Sequence, residues 1–156
     1  MVYAIALDPG GTTGVAIVRD PDQPWSIVVD QLTGDHYMEL FRMLYTLEPE
    51  YIICESFENR GQSNTLLTSM EYIGVVKLYI QRTGTIGVWQ SASTGKAFWT
   101  DAALKKYGLY VPGLKHARDA IRHYAAWQTF ANKDRSLLQD SAVGSSVVVR
   151  GAEAID

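Results

Sequence analysis

The segment "VYAIALDPGGTTGVAIV", residues 2–18, sets the reading of the whole chain. An apolar run stops at Asp8, a turn of Pro9-Gly10-Gly11-Thr12-Thr13-Gly14 follows, and a second apolar run begins at once. This pattern predicts a strand, a tight turn and an antiparallel partner strand. A Rossmann or Walker phosphate loop requires a glycine turn that opens into a helix, whose N-terminus binds the phosphate. Here the turn opens into the β-rich "GVAIV" (14–18), with no GK[ST] and no GxGxxG, so both of those nucleotide folds are excluded. What remains is a strand ending in a carboxylate beside a turn of small residues, which lets a phosphate or a metal approach the backbone.

Outward from that segment, "SIVVDQL" (26–32) predicts a third strand, and "YIICES" (51–56) and "TIGVWQ" (85–90) a fourth and a fifth. Helical periodicity runs through "GDHYMELFRMLYTLEPE" (34–50), where Met38, Phe41, Leu44 and Tyr45 share a face and Asp35 is the expected N-cap. A long helix is expected from Asn64 to just before Gly84, and two more over 95–108 and 115–133. Three strands joined by tight turns, then helix, strand, helix, strand and helix, is an α/β order. It predicts a five-stranded mixed sheet, three strands antiparallel and two parallel, flanked by helices. Residues 1–133 are expected to form one domain, and 134–156 a tail that is a strand, a docked arm or disorder.

At 156 residues, 47% of them apolar, the chain is long enough for a real core. No apolar run approaches the roughly 20 residues of a membrane span, so no membrane partner is expected. Neither is a signal peptide, because the start lacks a basic flank and Asp8 interrupts the apolar run. The single cysteine, Cys54, excludes a disulfide framework and points to a reducing cytoplasm. The net charge of −3 hides an asymmetry: residues 77–122 carry eight Lys/Arg against two Asp/Glu. That local surplus fits a phosphate-facing surface, although on charge alone ordinary solvated helix faces are the favoured reading.

Glu55 ends a buried strand, where an unpaired charge is costly. The order of elements favours the first and fourth strands as neighbours, which sets Asp8 beside Glu55. Two adjacent carboxylates repel unless a cation bridges them, so a metal site is the economical reading, with a structural ion pair as its rival. In "KHARDAIRHYAAW" (115–127), His116, Asp119 and His123 fall on one helical face, His116 and Asp119 about 4.5 Å apart along the axis. An oxygen-rich set with one or two imidazoles suits Mg²⁺ or Mn²⁺ better than structural zinc. Two such ions roughly 3.5–4 Å apart clamp the attacking and leaving oxygens of a phosphodiester.

Taken together, "ALDPGGTTGVAI" (6–17), "YIICESF" (51–57) and "LKHARDAIRHYAAW" (114–127) resemble the three acidic motifs of the RuvC family of Holliday-junction resolvases. The resemblance spans residues 2 to about 130 and implies an RNase H-like fold. It implies a homodimeric endonuclease that nicks four-way and other branched DNA, with Asp8, Glu55, His116 and Asp119 as catalytic ligands of two Mg²⁺ or Mn²⁺ ions. His123 stands as the alternative imidazole. Lys96 is implied to face DNA, Phe57 to stack on bases and Arg60 to touch a phosphate. Lys105, Lys106, Lys115 and Arg118 belong to the basic stretch, and helix 64–82 resembles the dimer helix. The compact form resembles bacteriophage members.

Three other functions stay open on the sequence. One is a less selective RNase H-like nuclease for flaps, forks or structured RNA. Another is an actin-type ATP-binding domain, whose nucleotide loop "DPGGTTG" also resembles, although no second glycine turn is present. The last is a non-catalytic module that binds DNA structure.

Overall fold

The structure, a computed structural model, describes residues 1–57, 64–140 and 142–150. Its strands are β1 (Val2–Asp8), β2 (Thr13–Val18), β3 (Ser26–Leu32), β4 (Pro49–Ser56), β5 (Ile86–Ser91) and β6 (Ser146–Val149). Its helices are α1 (Tyr37–Leu47), α2 (Asn64–Thr83), α3 (Asp101–Lys106), α4 (Lys115–Ala126) and α5 (Ser136–Gln139), with a π-helical turn over Trp127–Ala131. Among the described residues the strands form one mixed sheet in the order β5-β4-β1-β2-β3-β6. The β1–β2 and β2–β3 pairs are antiparallel, and β4 runs parallel to both β1 and β5. The expected five strands are therefore present, and a sixth joins them. The tail supplies it: β6 lies parallel to β3, and Ser146 and Arg150 donate backbone hydrogen bonds to the carbonyls of Trp25 and Val29. Among the described residues, no helix is long and apolar enough to cross a membrane.

Strand alternation divides the core into two layers. One face presents Ile5, Leu7, Val15, Ile17, Ile52 and Cys54 to α1 and α2. The other presents Ala4, Ala6, Ala16 and Ile53 to α4, which answers with Ala117, Ala120, Ile121 and Tyr124. Small residues on both sides of that second layer let α4 lie close to the sheet.

Two helices differ from their expected form. In α1 the buried stripe is Leu40, Met43, Leu44 and Leu47, whereas Met38 is 58% exposed and Tyr45 sits at the rim against Tyr79. The more apolar of two overlapping periodic stripes won the sheet. Asp35 is not its cap; His36 takes that position without a side-chain bond to the helix. The helix expected over 95–108 is only α3, because Gly95 adopts φ +82° within a run of turns. Thr100 starts the helix instead, its Oγ1 accepting from the Ala103 N–H at 3.2 Å.

Gly14 explains how α4 reaches its place. A Cβ there would overlap the His116 carbonyl and lie 2.8 Å from the Ala117 nitrogen. Next to it in register on β3, Gln31 Oε1 accepts from the N–H groups of His116 and Ala117, at 3.1 and 3.2 Å. The helix thus has no cap of its own at Leu114 and is capped from the sheet. Gly14→Ala should cost about 3 kcal/mol or more in urea denaturation, since backbone on both sides must give way. Gly11→Ala, whose Cβ would meet nothing within 4 Å, should stay within about 1 kcal/mol of the parent. Equal losses at the two positions would show that turn conformation, not helix approach, requires the glycine.

Candidate active site

The C-terminal ends of β1 and β4 bring Asp8 and Glu55 side by side, one step beyond the paired Leu7 and Cys54. Both point to the α4 face, and their side chains are 13% and 8% exposed. The two carboxyl groups are close enough for each to act on the other's proton. Burial, then the Glu55 hydrogen bond and charge, then the charge of Asp119, push the Asp8 pKa up to about 9, with Lys96 pulling the other way. Glu55 is also raised by burial, but hydrogen bonds from His123 and Asp8 outweigh this and hold it below the ordinary carboxylate range. At neutral pH the pair therefore shares one proton, held on the Asp8 side.

Helix α4 lays its polar groups across this pair. His116 Nδ1 is 3.2 Å from Asp8 Oδ2, and its side chain is 43% exposed. His123, two turns on, is buried; its Nε2 is 3.2 Å from Glu55 Oε2 and its Nδ1 donates to Gln90 Oε1 at 2.8 Å. Both histidines of α4 thus meet a carboxylate, one each, and of the two only His116 also meets solvent.

Asp119 stands apart from this contact chain. Its Oδ1 accepts from Arg122 Nη1 at 2.7 Å, and it reaches Asp8 through charge alone. Arg122 is itself fixed, Nε donating to the Trp99 carbonyl at 2.7 Å and Nη2 to Asp101 Oδ1. The expected four-residue cluster is thus a contact series, His116–Asp8–Glu55–His123, with Asp119 at its flank. Among the described residues, no three such side chains converge as a preassembled metal centre.

The donor set nonetheless fits a hard divalent cation. Three carboxylates act on one another in a partly buried place, the Asp8 pKa is raised, and an imidazole touches Asp8 Oδ2. A cation would replace the proton on Asp8 and relieve the repulsion.

Of the residues assigned to DNA, Lys96 is exposed in the turn after β5, close enough to act on both Asp8 and Glu55. Lys105 and Lys106 are exposed on α3, over the rings of Tyr110 and Tyr107, and Lys115 is exposed at the start of α4. Arg118 is only 15% exposed, and its guanidinium binds the Val111 carbonyl and covers the Tyr110 ring, so it is a packing residue first. Phe57 is half-buried and packs against the α1/α2 layer. Arg60 lies outside the described residues. The sequence reading missed Gln31, Gln90 and Arg122. The two glutamines were detectable as polar residues at inward positions of otherwise apolar strands; Arg122 read only as one charge in a basic stretch.

No protein-family model matches the chain, and no curated protein sequence does. Similar architectures are found among solved structures. Thermus thermophilus RuvC in complex with a Holliday-junction substrate superposes with a TM-score of 0.63 at 11% identity, covering 86% of this chain and 97% of that one. The fowlpox virus resolvase, also solved with Holliday-junction DNA, gives 0.53 at 13% identity over 88% and 99% of the two chains. The yeast mitochondrial Holliday-junction resolvase Ydc2 gives 0.50 at 12% identity, covering 85% of each. The chain has the RNase H-like fold of the RuvC-type resolvases. On that RuvC-type frame, Asp8 and Glu55 occupy the ends of adjacent parallel strands and His116 and Asp119 the first turns of the helix that crosses them.

The proton on the pair gives a stability signature. Asp8 has its pKa raised from 3.8 to about 9 in the fold, so its contribution is full below the unfolded value and disappears as pH rises through about 9. Glu55, shifted down, contributes above the ordinary carboxylate range and loses its contribution in acid. In EDTA, Tm should therefore decline from about pH 5 to pH 9. Asp8→Asn should flatten that decline and raise stability at pH 8 by about 1–3 kcal/mol. Mn²⁺ should restore the parent at high pH but not the variant. Parallel pH profiles for parent and variant would contradict the shared proton.

Proposed function

We propose that this protein is a Holliday-junction resolvase, an endonuclease that nicks four-way and other branched DNA with the help of divalent cations. The observation that carries the reading is the adjacent Asp8–Glu55 pair, largely withdrawn from solvent and overlaid by His116, at the strand ends of a resolvase-type fold. Asp8, Glu55, His116 and Asp119 would hold Mg²⁺ or Mn²⁺, two ions by preference, which supply transition-state charge stabilisation and an activated water for phosphodiester hydrolysis.

The chain's own groups have distinct tasks around that chemistry. His116, half-exposed and bonded to Asp8, is placed to ligate or to pass a proton to solvent. Lys96 lies beside the carboxylates on the open side and would meet the scissile phosphate's charge. Lys105, Lys106 and Lys115 extend the positive surface and would hold flanking phosphates, which set register and not sequence. Phe57 follows directly on the Glu55–Ser56 strand end and would lie against unpaired bases near a crossover.

A dimer suits a junction, which offers two equivalent strands to two sites related by a two-fold axis. Helix α2 exposes Leu67, Met70 and Leu78, each between 46 and 51% exposed, beside Trp89 of β5. A cleft of about 300 Å³ lined by Phe57, Met70, Ile73, Gly74, Lys77 and Trp89 continues that apolar surface. A second copy of α2 would cover it. We place the protein's work in the cytoplasm of a bacterium or a phage-infected host, where the single thiol of Cys54 stays reduced.

The decisive test is cleavage of a labelled mobile four-way junction with Mg²⁺, Mn²⁺ or EDTA. Paired metal-dependent nicks are expected, and Asp8→Asn should lower the rate about 1,000-fold or more while junction affinity stays within about threefold. Equal cutting of forks and flaps would leave a less selective branch nuclease. Tight binding without cutting would leave a structure-binding module. Junction affinity should also fall steeply as salt rises from about 50 to 200 mM. For the dimer, Met70→Glu with Leu78→Glu should give a monomer by sedimentation equilibrium with the fold retained; an unchanged mass would place the interface elsewhere.

A further inference from the structure

Among the described groups near the site, His123 and Gln90 are the two that touch the carboxylate series without facing solvent. Gln90 pairs in register with Glu55 across β5 and β4, so both side chains rise on the α4 face. His123 descends from α4 onto the two of them, with Nδ1 on Gln90 Oε1 at 2.8 Å and Nε2 on Glu55 Oε2 at 3.2 Å. All three residues are at least nine-tenths buried. Both partners offer the ring an oxygen that accepts, the Gln90 amide oxygen at Nδ1 and a Glu55 carboxylate oxygen at Nε2, so the two bonds hold opposite edges of the imidazole. The ring cannot rotate without losing both bonds at once. The Glu55 side chain, with three rotatable bonds, otherwise has several rotamers open to it.

We infer that His123 and Gln90 are a positioning pair that fixes the Glu55 carboxylate for cation binding. They reach the chemistry only through Glu55; neither is a ligand or a catalytic group. The arrangement follows the general logic of outer-shell partners, whose loss typically costs 10–100-fold in metal affinity or activity. It also separates the two histidines of α4: His116 is the outward group, His123 the inward brace. This inference rests on the cation-dependent reading of the site, and its test is chosen so that the two fail separately.

The test is Mn²⁺ binding followed by calorimetry and by the loss of free-ion electron paramagnetic resonance signal, on full-length parent, His123→Leu, Gln90→Leu and His123→Gln. The leucine at 123 fills the same space without a donor, and should weaken Mn²⁺ binding 10–100-fold. Junction affinity measured in EDTA should stay within about threefold, because nothing that faces DNA has changed. Gln90→Leu frees the ring and should give a smaller loss, about 3–10-fold. His123→Gln restores an N–H toward Glu55 and should recover binding to within about fivefold of the parent. Unchanged Mn²⁺ affinity in His123→Leu would overturn the inference, as would a glutamine variant no better than the leucine one. Should the parent itself bind no Mn²⁺, the cation-dependent function fails first, and the positioning pair with it; parent binding with unaltered variants sinks only the pair. If His123→Leu does not fold, the contrast between Gln90→Leu and the parent decides the matter alone.

Discussion

The seating of the first turn of α4 on the row Asp8–Gly14–Gln31 governs the rest of this structure. These three residues are lateral neighbours on β1, β2 and β3, and each gives the helix something different. Gln31 satisfies two of its orphan N–H groups, Gly14 removes the side chain that would hold it away, and Asp8 receives the first imidazole. A helix docked this closely brings its next turns over β4 and β5, and His123 then meets Glu55 as a geometric consequence. The glycine turn thus has a purpose unrelated to cradling a nucleotide phosphate: the space at Gly14 is filled by the protein's own backbone. A single added methyl at Gly14 would separate Asp8 from His116, and Glu55 from His123.

The carboxylate pair is a cost that this packing imposes and retains. An alternative with two apolar residues at the ends of β1 and β4 would be easier to bury. Instead, burial drives a proton onto Asp8, while Glu55 is kept charged by its hydrogen bonds. Such a pair would accept either of two fillings of the same gap: a proton, or a cation that would permit both groups to ionise. Asp119 adds a third negative charge, and Arg122 tempers it from behind.

Much of this was legible in the residues. The strand–Asp–glycine turn–strand pattern gave the hairpin, the apolar run ending in Glu55 gave a buried parallel strand, and the three-residue spacing of His116 and Asp119 put them on one helical face. What stayed hidden was long-range. No local pattern says that Gln31 caps a helix 85 residues later, or that Gln90 braces a histidine on α4. The stripe on α1 was misread because Met38 and Tyr45 share the periodicity of the residues actually buried, and periodicity does not say which stripe meets the sheet. The tail was undecided for a related reason: "VGSSVVVRG" is too short to declare itself, and it becomes a strand only because β3 offers an open edge.

Arg122 draws the last element into the same design. Its guanidinium bonds Asp119 on its own helix, Asp101 at the start of α3 and the Trp99 carbonyl in the turn between. The turn from β5 to α3 also carries Lys96, and it rests on α4 where a Cβ at Gly95 would lie 2.8 Å from the Ala126 Cβ and 3.3 Å from the Arg122 carbonyl. One partly buried guanidinium therefore ties a candidate ligand carboxylate to the segment that presents the candidate phosphate contact. The turn is short and has only one basic residue, so its placement has to be accurate. A rigid tie to Asp119 supplies that accuracy, because any shift of the turn that moved Lys96 would strain the same guanidinium that holds the carboxylate. The candidate cation site and the candidate phosphate contact are in this way parts of one packed unit, organised around α4 from His116 to Ala126.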